Sequence, residues 1–408
     1  MDGAGQCLND VWRLSVRSSQ FHRQHGEMRP QCRWTCTSPH DQGRIDGLGR
    51  RVLQKWRGRA GAGCTVIARR SELPAIFVAG GDSGTGTYLN DVWASEDGGV
   101  SWRCMCLDSG WCKRKCPALS AIPGRSGWLL LVGGMAGGAH VCGDAWVSSD
   151  AGATWAQLEQ PPWAEFCGRW SSALLPLVPA GGRNSDKHPT ASQLLLLGGR
   201  FIDGGDGGYG GFEKLLHDAW ECNIVGSVAS WRCWGSATNA RGGDWAKKGI
   251  DNASCTLDVG SASLIAWLPG HSQLSKAIAV PPIAEAEAIN WQTIQPAVAP
   301  QATLVDQEVG DEQVYVRSLA AVGPHCIPRL IVSTTFSLFV SNDGEWWRQF
   351  RWMLLLGIRL ANCFGLPSEL WRGRVVPALL PIPLPTKVPG DCMHQPPRVQ
   401  VSSSTVFV

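Results

Sequence analysis

The sequence predicts an all-β fold assembled from stacked repeat units. Three observations predict it. An apolar run closing on paired glycines returns three times. Each return is followed by an Asp-aliphatic-Trp segment and then by a second Trp. The composition, with 49 Gly, 21 Trp against 3 Tyr and only 17% charged residues, suits a turn-rich sheet protein rather than a helical one.

The apolar runs are IFVAGG ending at Gly80-Gly81, LLLVGG ending at Gly133-Gly134 and LLLLGG ending at Gly198-Gly199. Each is short and bounded by glycine, as a fully buried strand should be. Paired glycines suit a place where the backbone turns sharply or another segment approaches closely. The Asp-x-Trp segments follow as Asp91 with Trp93, Asp144 with Trp146, and Asp218 with Trp220. The second Trp is Trp102, Trp155 or Trp231. From the second Gly to the strand Trp is 12 residues in the first two copies and 21 in the third, where DGGDGGYGG (Asp203 to Gly211) fills the difference. From strand Trp to second Trp is 9, 9 and 11 residues. A constant frame with a glycine-rich insertion at one loop is what a stacked unit tolerates. A partial copy, LNDVW at Leu8 to Trp12, opens the sequence.

This order and spacing resemble the kelch repeat, over roughly Leu8 to Trp245. The resemblance implies a β-propeller whose blades are four-stranded antiparallel sheets, with partners bound at the loop rim. One departure stands out. The Tyr common after the double Gly in kelch repeats appears only as Tyr88 and Tyr209.

A second motif lies inside the units. Ser95, Asp97, Gly99 and Trp102 in SEDGGVSW, and Ser148, Asp150, Gly152 and Trp155 in SSDAGATW, fit Ser-x-Asp-x-Gly-x-Ser/Thr-Trp. This resembles the Asp box of sialidases and other propellers, a structural turn away from their active sites. Asp97 and Asp150 would bond backbone N–H groups, the glycines would take positive φ, and the Trp would anchor the next strand. SNDGEWW (Ser341 to Trp347) is a degraded third copy, with Glu345 where the Gly belongs. A sialidase-type site would need an Arg cluster and a Tyr nucleophile with a partner acid. No motif places the arginines, and Tyr is confined to positions 88, 209 and 315.

Beyond Trp245 the repeat fades. SASLIAWLPG from Ser261 reads as one degenerate blade, and Pro328 to Phe350 recovers a blade-like order. Ala277 to Ala302 reads as an Ala/Pro-rich insertion. Seven prolines between Val376 and Pro397 predict an extended tail. The division expected is 1–245 for kelch-like repeats, 246–352 for degenerate blades and 353–408 for the Pro-rich tail. That gives about six blades, within the usual propeller range; the N-terminal fragment enters mid-repeat, so either sequence precedes it or it closes the last blade of the ring.

The formal charge of +3 points to no particular partner. Eight basic residues lie between Arg44 and Arg70 against a single acid, Asp46. They read as a solvated loop rather than an anion patch, so nucleic acid is not the expected partner. No apolar stretch is long enough to span a membrane, and the opening residues do not read as a signal peptide.

Sixteen cysteines leave three readings open: buried reduced thiols, disulfides in a secreted chain, or a zinc site. The cytoplasm is the compartment expected, with secretion open if sequence precedes this chain. Cys104, Cys106, Cys112 and Cys116 are the only metal candidates, and their spacing lacks the paired CxxC of a convincing zinc motif. No catalytic constellation and no cofactor are expected. The function expected is a non-enzymatic scaffold for a protein partner; a carbohydrate-binding or carbohydrate-active propeller is the alternative, with a glycan as ligand.

Overall fold

A computed structural model describes residues 7–17, 31–41, 44–45, 51–52, 55–67, 73–84, 86–165, 168–177, 192–203, 212–216, 218–236, 255–258, 263–267, 274–277, 291–293, 316–321, 330–334, 337–342, 345–351 and 405–407. The protein is all-β: among these residues the helical elements are two 3₁₀ turns, Gly137–Ala139 and Pro162–Glu165. No helix among the described residues is long and apolar enough to cross a membrane.

Each repeat makes one antiparallel sheet whose strands follow chain order. The first contains Gly63–Ile67, Ala75–Asp82, Tyr88–Ser95 and Arg103–Cys106. The second contains Ala118–Ala121, Leu129–Ala136, Val141–Ser148 and Ala156–Gln157, with Arg114–Lys115 added beside the end of Leu129–Ala136. The third contains Ala173–Leu177, Ser192–Leu197, Asp218–Val225 and Val228–Ser236. An additional hairpin, Arg200–Asp203 with Phe212–Leu215, rises from it. The glycine-rich insertion between those two strands, 204–211, lies outside the described residues.

Two further four-stranded meanders follow. One joins Cys255–Asp258, Ser263–Trp267, Leu274–Ala277 and Trp291–Thr293. The other joins Val316–Ala321, Leu330–Thr334, Ser337–Asn342 and Glu345–Arg351. The sequence places an insertion at 277–302 and a tail from 353. The chain instead uses Trp291–Thr293 as a strand, and Thr405–Phe407 pairs antiparallel with Val11–Arg17. That pairing builds a sheet from both ends of the sequence, with Gln31–Ser38 on its other side. The proline-rich run 377–397 lies outside the described residues.

The core explains the leucine runs. Leu129 and Leu131 pack toward the first sheet, in a cluster with Phe77, Ala79, Val92 and Trp111. Leu130 and Val132 point the other way, toward Trp163, Leu174, Leu194 and Leu196. Successive side chains on a strand alternate between faces, so a strand sandwiched between two sheets must be apolar at every position. The runs are the second strands of their sheets. The first strands of successive sheets, Gly63–Ile67, Ala118–Ala121 and Ala173–Leu177, lie beside one another, and Ala121 N–H donates to Thr65 Oγ1 across the first gap.

Candidate functional site

The repeat residues singled out by sequence converge on one constellation, built three times. Arg59 donates from its two terminal nitrogens to Asp91 Oδ1 and Oδ2 at 2.7 and 2.8 Å, and to the Gly80 carbonyl at 2.8 Å. Arg114 does the same to Asp144 at 2.6 and 2.8 Å and to the Gly133 carbonyl at 2.9 Å. Arg169 repeats it with Asp218 at 3.0 and 2.7 Å and with Gly198 at 3.1 Å. The three guanidinium side chains are 0–1% exposed. Each carboxylate also accepts the indole N–H of the strand Trp two residues on, Trp93, Trp146 or Trp220, at 2.6–2.7 Å. Asp10 and Trp12 in the opening fragment make the same bond at 2.6 Å.

Two parallel N–H···O bonds suit a planar guanidinium and no other cation. Burial pushes the Asp144 and Asp218 carboxyls up, but the arginine hydrogen bonds and charge outweigh it and hold both below the ordinary carboxylate value. Each guanidinium also lies against a Trp shortly before it in sequence: Arg59 on Trp56, Arg114 on Trp111, Arg169 on Trp163. Those tryptophans meet the second Trp of the repeat edge to face: Trp56 with Trp102, Trp111 with Trp155, Trp163 with Trp231.

The arginines were missed by sequence reading, although a signal was present. Arg59, Arg114 and Arg169 stand 55 residues apart at each step, whereas the aspartates they hold are spaced 53 and 74 apart. The arginine precedes the insertion-tolerant loop and the aspartate follows it. One correction follows for the basic stretch 44–70. It is not a solvated loop throughout, because Arg59 is locked into its ion pair and Lys55 is buried. Lys55 Nζ donates to the Ser38 carbonyl, Ser38 Oγ and the Pro39 carbonyl, and burial lowers its pKa.

The arginine segment also straps neighbouring sheets together. Asn90 of the first sheet donates to the carbonyl of Trp111, which opens the strap to the second. Asn9 donates likewise to the Trp56 carbonyl. Gly61, Cys116 and Ser171, again 55 apart, all have left-handed φ of 50–60°. They are chained through Cys116 N–H to Gly61 O and Ser171 N–H to Cys116 O. The paired glycines make room for the strap. Gly133 has φ +61°, and a Cβ there would sit 2.2 Å from the Arg169 carbonyl oxygen.

The turns at Ser95–Trp102 and Ser148–Trp155 share one hydrogen-bond pattern. Ser95 Oγ donates to Asp97 and accepts Gly99 N–H; Asp97 accepts Ser101 N–H and Oγ–H. Ser148, Asp150, Gly152 and Thr154 reproduce this. Trp102 and Trp155 indoles donate to the Gly99 and Gly152 carbonyls. Each turn leans on the preceding sheet, since a Cβ on Gly152 would meet Val92 at 2.8 Å and one on Gly99 would meet Val11 at 2.8 Å. The side chains of the degraded copy at 341–347 lie outside the described residues.

The four candidate metal cysteines do not come together. Cys104 and Cys106 sit on an edge strand. Cys112 turns to Cys142 of another strand, with the sulfurs 3.4 Å apart. Cys116 occupies the left-handed link to Gly61. Among the described residues no group of three or more His, Cys, Asp or Glu is placed to hold a metal ion. The physical reason is that the strap between Trp111 and Cys116 is tied down at Asp144, Gly133 and Gly61, which carries Cys112 and Cys116 to different neighbours.

No protein-family model matches the chain, and no curated protein matches it. Among solved structures, one described as "Structure of YjhT" is 11% identical over 86% of this chain and 80% of that chain, with a TM-score of 0.39, too low to assign a fold.

Proposed function

We propose that this chain is a kelch-type β-propeller of about six blades with Asp-box turns, acting as a non-enzymatic scaffold that binds a protein partner through its rim loops. The observation that carries the reading is the threefold Arg–Asp–Trp constellation. Its charged groups are turned inward onto the carbonyls and indoles of their own and neighbouring sheets. The frame is therefore constant while the loops between Gly-Gly and Asp-x-Trp differ, from the short turn at 83–87 to the hairpin of Arg200–Asp203 and Phe212–Leu215. A constant frame presenting unequal loops is the division of labour of a binding scaffold. Pairing of Thr405–Phe407 with Val11–Arg17 supports closure of the ring by both ends of the sequence.

The test is affinity capture from a source extract, comparing the full chain with a variant whose 200–215 hairpin is replaced by a short Gly/Ser linker. A partner that binds the full chain and is lost with the hairpin supports the rim reading. Identical capture profiles for this and for equivalent replacements of the 83–87 and 137–140 loops contradict it. Turnover of a glycoside substrate, or selective glycan binding unaffected by protein competitors, would move the chain to the carbohydrate class.

A further inference from the structure

Cys112 and Cys142 form a feature that the repeat frame does not require. Counting from the constant arginine, the first repeat has Arg57 and the third has Cys167 where the second has Cys112, so only the second repeat joins a thiol there to one at the Cys142 position. Counting along the strand register, Leu89 opposite Gly81 corresponds to Cys142 opposite Gly134. In the third repeat Leu216 stands two residues before its aspartate, where the second has Cys142. The same sheet and the same arginine strap thus form without either thiol at the first repeat.

The surroundings of the pair are those of a reactive thiol. Cys112 is exposed and Cys142 is buried beneath it. Their sulfurs are 3.4 Å apart, and Arg114 donates from a terminal nitrogen to Cys112 Sγ at 2.8 Å. Four ionisable groups meet there: Cys112, Cys142, Arg114 and Asp144. The Cys142 S–H bond, opposed by partial burial and by Asp144 and aided by the Arg114 charge, holds the Cys112 thiol down at about 6. The same contact and deeper burial push Cys142 up. The exposed sulfur is therefore the thiolate at neutral pH, and the buried one keeps its proton.

We propose that Cys112 is a peroxide-reactive thiolate and Cys142 its resolving partner, so that the second repeat carries a reversible disulfide site between its strap and its third strand. The thiolate attacks a hydroperoxide, its sulfur bonding to the distal oxygen as the O–O bond breaks. The alkoxide or hydroxide leaves and takes a proton, giving the Cys112 sulfenic acid. Cys142 then attacks that sulfur, the S–O bond breaks, and its proton leaves with the hydroxyl as water. The hydroperoxide is reduced by two electrons and the two thiols are oxidised by two. A disulfide needs the sulfurs at about 2.05 Å, so closure from 3.4 Å asks for a short approach by the exposed Cys112.

The experiment uses the full chain treated with one equivalent of hydrogen peroxide and mapped by peptide mass spectrometry. The expected result is a Cys112–Cys142 linked peptide, reversed by dithiothreitol. In Cys142→Ser the expected product is a Cys112 sulfenic acid captured by dimedone. Iodoacetamide labelling of the untreated protein provides a readout that needs no variant. Cys112 labelling should rise through an inflection near pH 6 and be flat by pH 7.5, while ordinary thiols are still gaining reactivity toward pH 8.5. Linkage of Cys112 to another cysteine, absence of the Cys112–Cys142 linkage, or a labelling inflection at or above pH 8 overturns the proposal.

Discussion

Replacing Asp144 by Asn tests the repeated ion pair in the second repeat. Arg114 has a fully buried side chain, and that of Asp144 is 21% exposed. The substitution keeps the shape and one acceptor for the Trp146 indole, but removes the negative charge and one of the two oxygens facing the guanidinium. Removing one member of a buried pair costs about 3–5 kcal/mol, because the remaining charge is left uncompensated. Water reaches the open edge of Asp144, which favours the lower end, about 3 kcal/mol, or roughly a hundredfold in the folding equilibrium. The assay is urea unfolding followed by Trp fluorescence and far-UV circular dichroism. Glu96→Gln is the control. Its partner Arg103 lies 4.0 Å away and both side chains are more than half exposed, so its effect should stay within about 0.5 kcal/mol. A shift for Asp144→Asn no larger than for Glu96→Gln would refute the view that these pairs hold the straps.

Three further outcomes follow from the same geometry. Asp144 and Asp218 titrate below their unfolded value in the folded protein, so their contribution is complete above about pH 4 and is lost as pH falls through the lowered folded values; acid unfolding of the wild type should set in below about pH 4 and that onset should flatten in Asp144→Asn. Gly133→Ala should prevent stable packing of the second sheet, because the new Cβ would meet the Arg169 carbonyl oxygen at 2.2 Å, whereas Gly138→Ala, with φ +69° but open space around it, should cost only about 1–2 kcal/mol by thermal or urea unfolding. Asn90→Ala removes a buried donor to the Trp111 carbonyl and to Asp108 and should cost about 1–3 kcal/mol, with faster amide exchange confined to the strap at 109–116.

The parts legible in the sequence were those fixed by local chemistry. The three leucine-rich runs announce two-sided burial, the paired glycines announce a close approach, and both Ser-x-Asp-x-Gly turns can be read from the short reach of Asp97 and Asp150 to their own backbone. Partners joined across long separations were hidden. Arg59 and Asp91, or Arg169 and Asp218, meet only after the sheet between them has formed, across 32 and 49 residues. Read alone, Arg59 belonged to a basic stretch and looked solvated. Thr405–Phe407 was similarly obscured, because the prolines preceding it argue for an extended tail and three residues carry too little pattern to mark a strand. Cys112 and Cys142 were separated by 30 residues and three strands, so the cluster counted by proximity in sequence was Cys104, Cys106, Cys112 and Cys116 instead.

The most direct test of the propeller reading is hydrogen–deuterium exchange of the full chain against a variant truncated before residue 401. If the two ends of the sequence share a blade, the amides of Val11–Arg17 should lose protection on truncation while those of Leu129–Ala136 keep theirs. Unchanged protection of Val11–Arg17, with 405–407 exchanging at once in the full chain, would contradict closure of the ring by these strands.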